Sequence, residues 1–306
     1  MPVKAPQHLP AIDGLRKENI FVMNSLRADT QDIRPLRICI LNLMPTKEVT
    51  EMQLLRLLSN SPLQVDVTLL YTASYQPTHT TEGHLHSFYK TFSEIKEQRF
   101  DGLIVTGAPV EMLRFEDVAY WQELSEILDW SVKNVFASLF ICWGAQAALY
   151  KLYGVRKHVT DAKISGIFEH KLCDPSSPLL RGFDDVFLAP HSRNTTVYRD
   201  DILACPELTL LSESEEAGVY LVASKDYKHV FITGHGEYDV DTLHKEYMRD
   251  LGKGLEIEMP RHYYVGDVVG ALPPLRWRSS SSLLITNWLN YCVYQSTPYD
   301  FLQRKD

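Results

Sequence analysis

Two short segments carry residues able to do covalent chemistry. In FICWGAQAA (140–148), Cys142 closes an apolar run and opens a small-residue stretch, with Gly144 two positions on. A thiol at a strand–helix corner projects from the carboxyl edge of a sheet, where open α/β sheets bind ligands. The helix N-terminus adds partial positive charge and free N–H groups, which favour thiolate over thiol. The N–H of Trp143 is placed to help bind the oxyanion of a tetrahedral intermediate. In ITGHGEYD (232–239), His235 ends a second apolar run and Glu237 follows across Gly236. Positions i and i+2 of an extended segment face the same way, so the Glu237 carboxylate can fix the His235 tautomer. The other ring nitrogen is then free to face a nucleophile. Taken alone, Cys142 fits a buried core thiol as well as a nucleophile. Two such corners at the ends of strands in one sheet favour a Cys142–His235–Glu237 triad.

The elements around these corners alternate. RICILNL (37–43), VDVTLLY (65–71), FDGLIVTG (100–107) and VFASLFIC (135–142) read as strands, the last apolar on both faces as a central parallel strand should be. Helical patterns lie between them. They cover 48–60, with Val49, Met52, Leu55 and Leu58 on one face, then 87–99 and 118–134, and a small-residue helix follows Cys142. Strand alternating with helix predicts a doubly wound α/β fold with a mostly parallel sheet. Residues from about 155 to 230 read instead as short strands and turns. A last strand over 229–235 leads into a helix over 239–251, and 282–295 is again helical and apolar. Residues 1–34 read as an extended arm, its prolines interrupting any helix. The organisation expected is this arm, one catalytic domain over 35–298 with its C-terminal extension, and a tail over 299–306.

Composition narrows the function classes. The 306 residues carry 31 Lys and Arg against 39 Asp and Glu, a net charge of −8, which argues against a generic nucleic-acid or anionic-membrane surface. Five widely spaced cysteines with no Cys-x-x-Cys pair suggest neither a disulfide scaffold nor a zinc or redox centre, so no metal is expected. Cys39, inside a plain strand, reads as core. The first residues are too polar and proline-rich for a secretory signal, and no apolar run approaches the ~18 residues of a membrane span. A cytoplasmic protein is expected.

The Cys elbow with a later His-x-Glu resembles the class I glutamine amidotransferase fold, which is flavodoxin-like. A more specific resemblance runs along the whole chain. MPVKAP, ENIFVM (18–23), LNLMPTKEVTE (41–51), GLIVTGAPVE (102–111), DVAYW (117–121), CWGAQAAL (142–149), PHSR (190–193) and TGHGEYD (233–239) are similar to the homoserine O-acyltransferase family of methionine biosynthesis. The resemblance implies that Cys142 takes the acyl group from acyl-CoA as a thioester, with His235 as general base and Glu237 as its orienting partner. It further implies that Lys47 sits near the oxyanion site and that Lys163, Ser192 and Arg249 contact homoserine, whose hydroxyl attacks the thioester. Arg249 could hold the α-carboxylate in a bidentate contact. Glu246 shares its helix face and joins the acceptor candidates, although by spacing alone the two residues read as a solvated ion pair. The family implies no cofactor beyond the acyl-CoA co-substrate, and a homodimer.

Glu111 bears on the acyl group. In this family, Gly just beyond the GAP turn goes with succinyl-CoA and Glu with acetyl-CoA. A glutamate there fills space and repels a second carboxylate, which implies acetyl transfer, with succinyl transfer as the alternative. The CoA site is poorly marked in the sequence. Arg276 and Arg278 could meet its phosphates or simply be exposed. A glutaminase subunit would use the same triad, but no phosphate loop of a synthetase is present. A cysteine hydrolase and a non-catalytic binding module are the remaining readings.

Overall fold

The computed structural model describes residues 3–4, 8–18, 22–23, 34–75 and 80–298. Among them the strands are β1 (Val3–Lys4), β2 (Val22–Met23), β3 (Leu36–Leu41), β4 (Val65–Leu70), β5 (Tyr89–Lys90), β6 (Phe100–Val105) and β7 (Val135–Ile141). They continue as β8 (His158–Leu172), β9 (Val186–Thr196), β10 (Leu208–Ser214), β11 (Gly218–Ser224) and β12 (His229–Ile232). All join one twelve-stranded sheet in the order β2-β1-β4-β3-β6-β7-β12-β11-β10-β8-β9, with β5 beside β4. Every pairing from β2 to β12 is parallel. Every pairing from β12 to β9 is antiparallel. Flanking helices complete the expected doubly wound α/β architecture.

The central strands are apolar on both faces because both are covered. Ile38, Ile40, Ile104, Leu139 and Ile141 point into one core, which also holds Leu54, Leu55, Leu284 and Trp288. Their neighbours Cys39, Leu41, Leu103, Val105 and Phe140 point into the other, with Leu124, Leu128 and Leu149. Burial pushes the Cys39 thiol up to about 12, so it is an inert core group.

Three expectations are corrected. The segment 1–34 is not uniformly extended: Ala11–Lys17 is a helix, with Pro10 just before it, where a missing N–H costs nothing. Leu9, Ala11 and Leu15 bury against the core, and Glu18 forms a two-point ion pair with Arg56. The helix Lys47–Leu58 buries Leu55 and Leu58 of the marked face and packs Met52 against the core, but its buried stripe is turned away from Val49. Val49 is exposed, and Thr50, Glu51 and Gln53 are buried with Leu54 and Leu58. The polar residues can turn inward because they find partners: Glu51 accepts from the Tyr89 hydroxyl at 2.6 Å, and Gln53 donates to Asp239 at 3.3 Å. Finally, 87–99 is not one helix. Helices Glu82–Phe88 and Phe92–Ile95 flank β5, and a capping box between Thr91 and Glu94 starts the second.

The helix Trp143–Tyr153 crosses the end of β6 so closely that only glycine fits at its second position. A Cβ on Gly144 would lie 2.5 Å from the Thr106 carbonyl oxygen and 3.0 Å from that of Val105. Both obstacles are backbone and cannot swing aside. Gly144→Ala is therefore expected to lower the unfolding free energy by about 2–3 kcal/mol, read as a lower urea midpoint at unchanged m-value. A wild-type midpoint would show that the helix can move off the sheet.

Candidate active site

Cys142 lies between β7 and the helix Trp143–Tyr153, with φ 50° and ψ −117°. This left-handed backbone is costly for a residue with a Cβ, on the order of 1–3 kcal/mol, and it is the geometry of a nucleophile elbow. It is held from both sides. The Cys142 N–H donates to the Ile232 carbonyl on β12 at 2.7 Å, and its own carbonyl accepts from Gln146 N at 3.1 Å. The first N–H groups of the helix have no partner within it and face the corner. Trp143 itself is buried.

His235 is fixed by main chain and side chain together. Its N–H donates to the Pro190 carbonyl at 2.8 Å, its Nδ1 lies 2.7 Å from Glu237 Oε1, and its ring stacks on Tyr238 with centroids 4.2 Å apart. The ring and the sulfur converge on Gly107, in the loop after β6. A methyl group added there would lie 3.8 Å from Cys142 Sγ and 3.6 Å from His235 Cε1. Burial alone would lower the imidazole's pKa. The Cys142 sulfur and the Glu237 carboxylate beside it outweigh burial and hold it well above its ordinary value. The arrangement is that of an imidazolium supported on one side by a carboxylate and paired on the other with sulfur.

Lys47 starts the helix after β3, and its buried ammonium donates to the carbonyls of Asn42 at 2.6 Å and Met44 at 3.4 Å. Burial pulls it down to about 8 against the raising effect of Glu51. Its charge is committed to the turn that Leu43 N ties to Thr106 Oγ1 at 2.8 Å, next to Gly107. A buried network lies beneath this turn. Asn42 Nδ2 donates to the Tyr89 hydroxyl at 2.9 Å, and Tyr89 donates to Glu51, which also contacts His84 Nε2 at 2.9 Å.

The acceptor candidates gather on the other flank. Lys163, on β8, pairs with Asp250 at 3.0 Å, and Arg249 pairs with the same carboxylate at 2.8 Å. Glu246 accepts from the Tyr238 hydroxyl at 2.8 Å, and its Oε2 is buried without a partner among the described residues. The simple Glu246–Arg249 ion pair is therefore replaced by two separate links, one of which leads through Tyr238 to His235. Ser192, half-buried on β9 opposite Ser165, lies two residues beyond the carbonyl that anchors His235. Arg276 and Arg278 are exposed. Arg278 borders a shallow recess with Arg56, Glu237 and Asp239.

Glu111 is a clamped carboxylate. It accepts from Asn194 N at 2.9 Å, Asn194 Nδ2 at 2.7 Å and Thr195 Oγ1 at 3.3 Å. The neighbouring Arg193 is fully buried and donates to the carbonyls of Thr195 and Ala217. Burial pulls its guanidinium down to about 10, opposed by Cys142 and Glu111, so a buried positive charge acts on the sulfur.

Sequence reasoning did not single out Asp250, Tyr238, Arg193 or Gly107. Tyr238 and Arg193 lie inside the quoted segments TGHGEYD and PHSR. Asp250 adjoins Arg249 but has no periodicity of its own to mark it. Among the described residues no cluster of His, Cys, Asp and Glu is arranged to hold a metal, and no helix is long and apolar enough to cross a membrane.

A family model described as homoserine O-succinyltransferase matches residues 2–299. A homoserine O-acetyltransferase of Shouchella clausii is 59% identical over 299 residues, covering 98% of this chain and 97% of its own. One from Brevibacillus brevis is 58% identical over 300 residues, 98% of each chain. One from Acetivibrio thermocellus is 55% identical over 305 residues, 100% of each chain. Among solved structures, a glutamine amidotransferase from Thermotoga maritima aligns with a TM-score of 0.55 at 14% identity, over 85% of this chain and 99% of that one. A glutamine amidotransferase from Methylobacillus flagellatus aligns with a TM-score of 0.53 at 13% identity, over 90% and 98%. At such identities the likeness is one of fold.

Proposed function

The chain belongs to the homoserine O-succinyltransferase family, and we propose that within it this protein is a homoserine O-acetyltransferase working through a Cys142 thioester. The convergence of Cys142 and His235 on Gly107, with Glu237 at 2.7 Å from the imidazole, carries the reading. The Cys142 thiolate attacks the acetyl carbonyl of acetyl-CoA and forms a new S–C bond. The bond to the CoA sulfur breaks, and the leaving thiolate takes the His235 proton. Homoserine then gives its hydroxyl proton to His235 as its oxygen attacks the thioester carbon. O-acetylhomoserine leaves and the thiolate is restored. Splitting the transfer in this way gives ping-pong kinetics. Lys163 and Arg249 suit the α-carboxylate of homoserine, and the unpartnered Glu246 oxygen suits its α-ammonium. This activity places the protein in methionine biosynthesis, and sedimentation tests the homodimer that goes with it.

Acetyl over succinyl rests on Glu111 and on relatives that bear the acetyltransferase name at 55–59% identity. Three donors, from Asn194 and Thr195, cannot all follow a displaced carboxylate, so Glu111 holds both its volume and its charge in place. A succinyl carboxylate reaching that place meets repulsion that an acetyl group does not. Wild type is expected to favour acetyl-CoA over succinyl-CoA in kcat/KM by at least about tenfold, ~1.4 kcal/mol. Glu111→Gly should shift the ratio toward succinyl-CoA. A wild type that prefers succinyl-CoA would overturn the acetyl assignment and leave the succinyl one.

A further inference from the structure

The loops after β3, β4 and β6 enclose a cleft of about 230 Å³ beside the catalytic corner. Its walls are largely apolar and include Leu43, Tyr71, Val110, Val118 and Tyr120. We propose that this cleft takes the pantetheine arm of the acyl-CoA donor, with the nucleotide left outside it. The inference rests on the acyltransferase reading and adds the place where the donor binds.

Sheet order puts the cleft on the correct side. β7, which ends at the nucleophile, has β6 on one flank and β12 on the other. The His235 loop follows β12, and Lys163 on β8 lies further along that flank. The cleft is built from loops on the opposite flank. One chain connection and one ring contact link it to the corner at Cys142. Gly107, against which the sulfur and imidazole close, is followed within three residues by the lining residues Pro109 and Val110. Trp143, the residue after Cys142, packs edge-on against the cleft residue Tyr120 with ring centroids 6.1 Å apart. A thioester carbonyl at Gly107 would thus send its departing sulfur chain toward Val110 and Tyr120.

The lining fits the arm and not the phosphates. Pantetheine is a narrow chain of methylenes and a branched dimethyl group, with two amides. The cleft falls below the ~300–1,000 Å³ typical of sites that enclose whole ligands. Lys47 is the one basic residue among those lining it, and the carbonyls of Asn42 and Met44 occupy its ammonium. Asp117 adds a negative charge there. A di- or triphosphate would gain nothing inside.

Ala119 lines the cleft and is exposed, so a larger side chain can enter from it without rebuilding a core. Ala119→Trp is expected to lower kcat/KM for acetyl-CoA and for S-acetylpantetheine by the same factor, at least tenfold. The KM for homoserine and the rate of Cys142 alkylation by iodoacetamide should stay within twofold. Leu113→Trp, from another exposed lining position, repeats the test if the first variant does not fold. Unchanged kcat/KM for acetyl-CoA, or a loss confined to acetyl-CoA with S-acetylpantetheine spared, would overturn the assignment. Failure of the acyltransferase reading would look different: the wild type itself would take no acetyl group from acetyl-CoA.

Discussion

Cys142→Ala is expected to take up no acetyl group from acetyl-CoA, where the wild type acquires one per chain and loses it on addition of homoserine. Intact-mass measurement after mixing with acetyl-CoA alone reads the first half-reaction, and mixing with homoserine reads the second. Turnover should fall by roughly 10⁴-fold or more, because losing a nucleophile removes the covalent route and leaves only binding and oxyanion stabilisation. The other four cysteines give no rescue. Cys39 and Cys292 are buried with thiols pushed up to about 12, and neither Cys173 nor Cys205 lies at a strand–helix elbow. An adduct that persists in Cys142→Ala would refute the thioester assignment. The variant should still fold, since the strain at φ 50° depends on backbone and not on sulfur.

Glu237→Gln should lower kcat/KM by about 10²–10⁴-fold, the usual consequence of losing the carboxylate that orients a catalytic imidazole. It should also change how stability depends on pH. Burial works against the His235 imidazolium, but Cys142 and Glu237 together hold its pKa well above the ordinary value. A base whose pKa is raised by folding binds its proton more tightly in the native state. Its contribution to stability is complete below the unfolded value of ~6.5 and is lost as pH rises through the higher native value. The wild type should therefore lose this contribution on the alkaline side of neutrality. In Glu237→Gln one of the two anions is gone and the loss should be smaller and should come at lower pH. Urea unfolding between about pH 6 and 10 reads the difference. Identical pH dependence in the two proteins would show that the Glu237 carboxylate does not support the imidazolium.

Much of this site was legible because its signals are local. An apolar run ending at Cys142, small residues following it, and His-x-Glu at the end of another run are read within ten residues. β3, β4, β6, β7 and β12 share that property, each carrying mostly apolar residues over its own short length. What escaped depends on partners distant in the chain. Glu51 and Gln53 look solvent-facing until Tyr89 and Asp239 are brought to them, so the buried stripe of their helix is wider than its apolar residues mark. Asp250 gains its importance from Lys163, which β8 delivers from the other half of the molecule. Tyr89 interrupts a helical pattern because its hydroxyl is drawn to Glu51 and Asn42, a pull that periodicity does not encode. The roles of Lys47, Lys163 and Ser192 came from family resemblance, since nothing in their spacing marks them.

The position of β12 also governs when the protein becomes chemically competent. That strand pairs with β7 on one side and β11 on the other, so the imidazole reaches the sulfur only after the antiparallel half of the sheet has closed back on the parallel half. Contacts between distant parts of a chain form late, because the entropy of closing the intervening loop must be met first. During synthesis β3 to β7 can pair while β12, with the Ile232 carbonyl that holds the Cys142 N–H, is still to be made. The unfinished chain holds a sulfur with no imidazole beside it. On the proposed mechanism, acyl transfer can begin only once β12 has joined β7, and the topology itself would time the onset of activity.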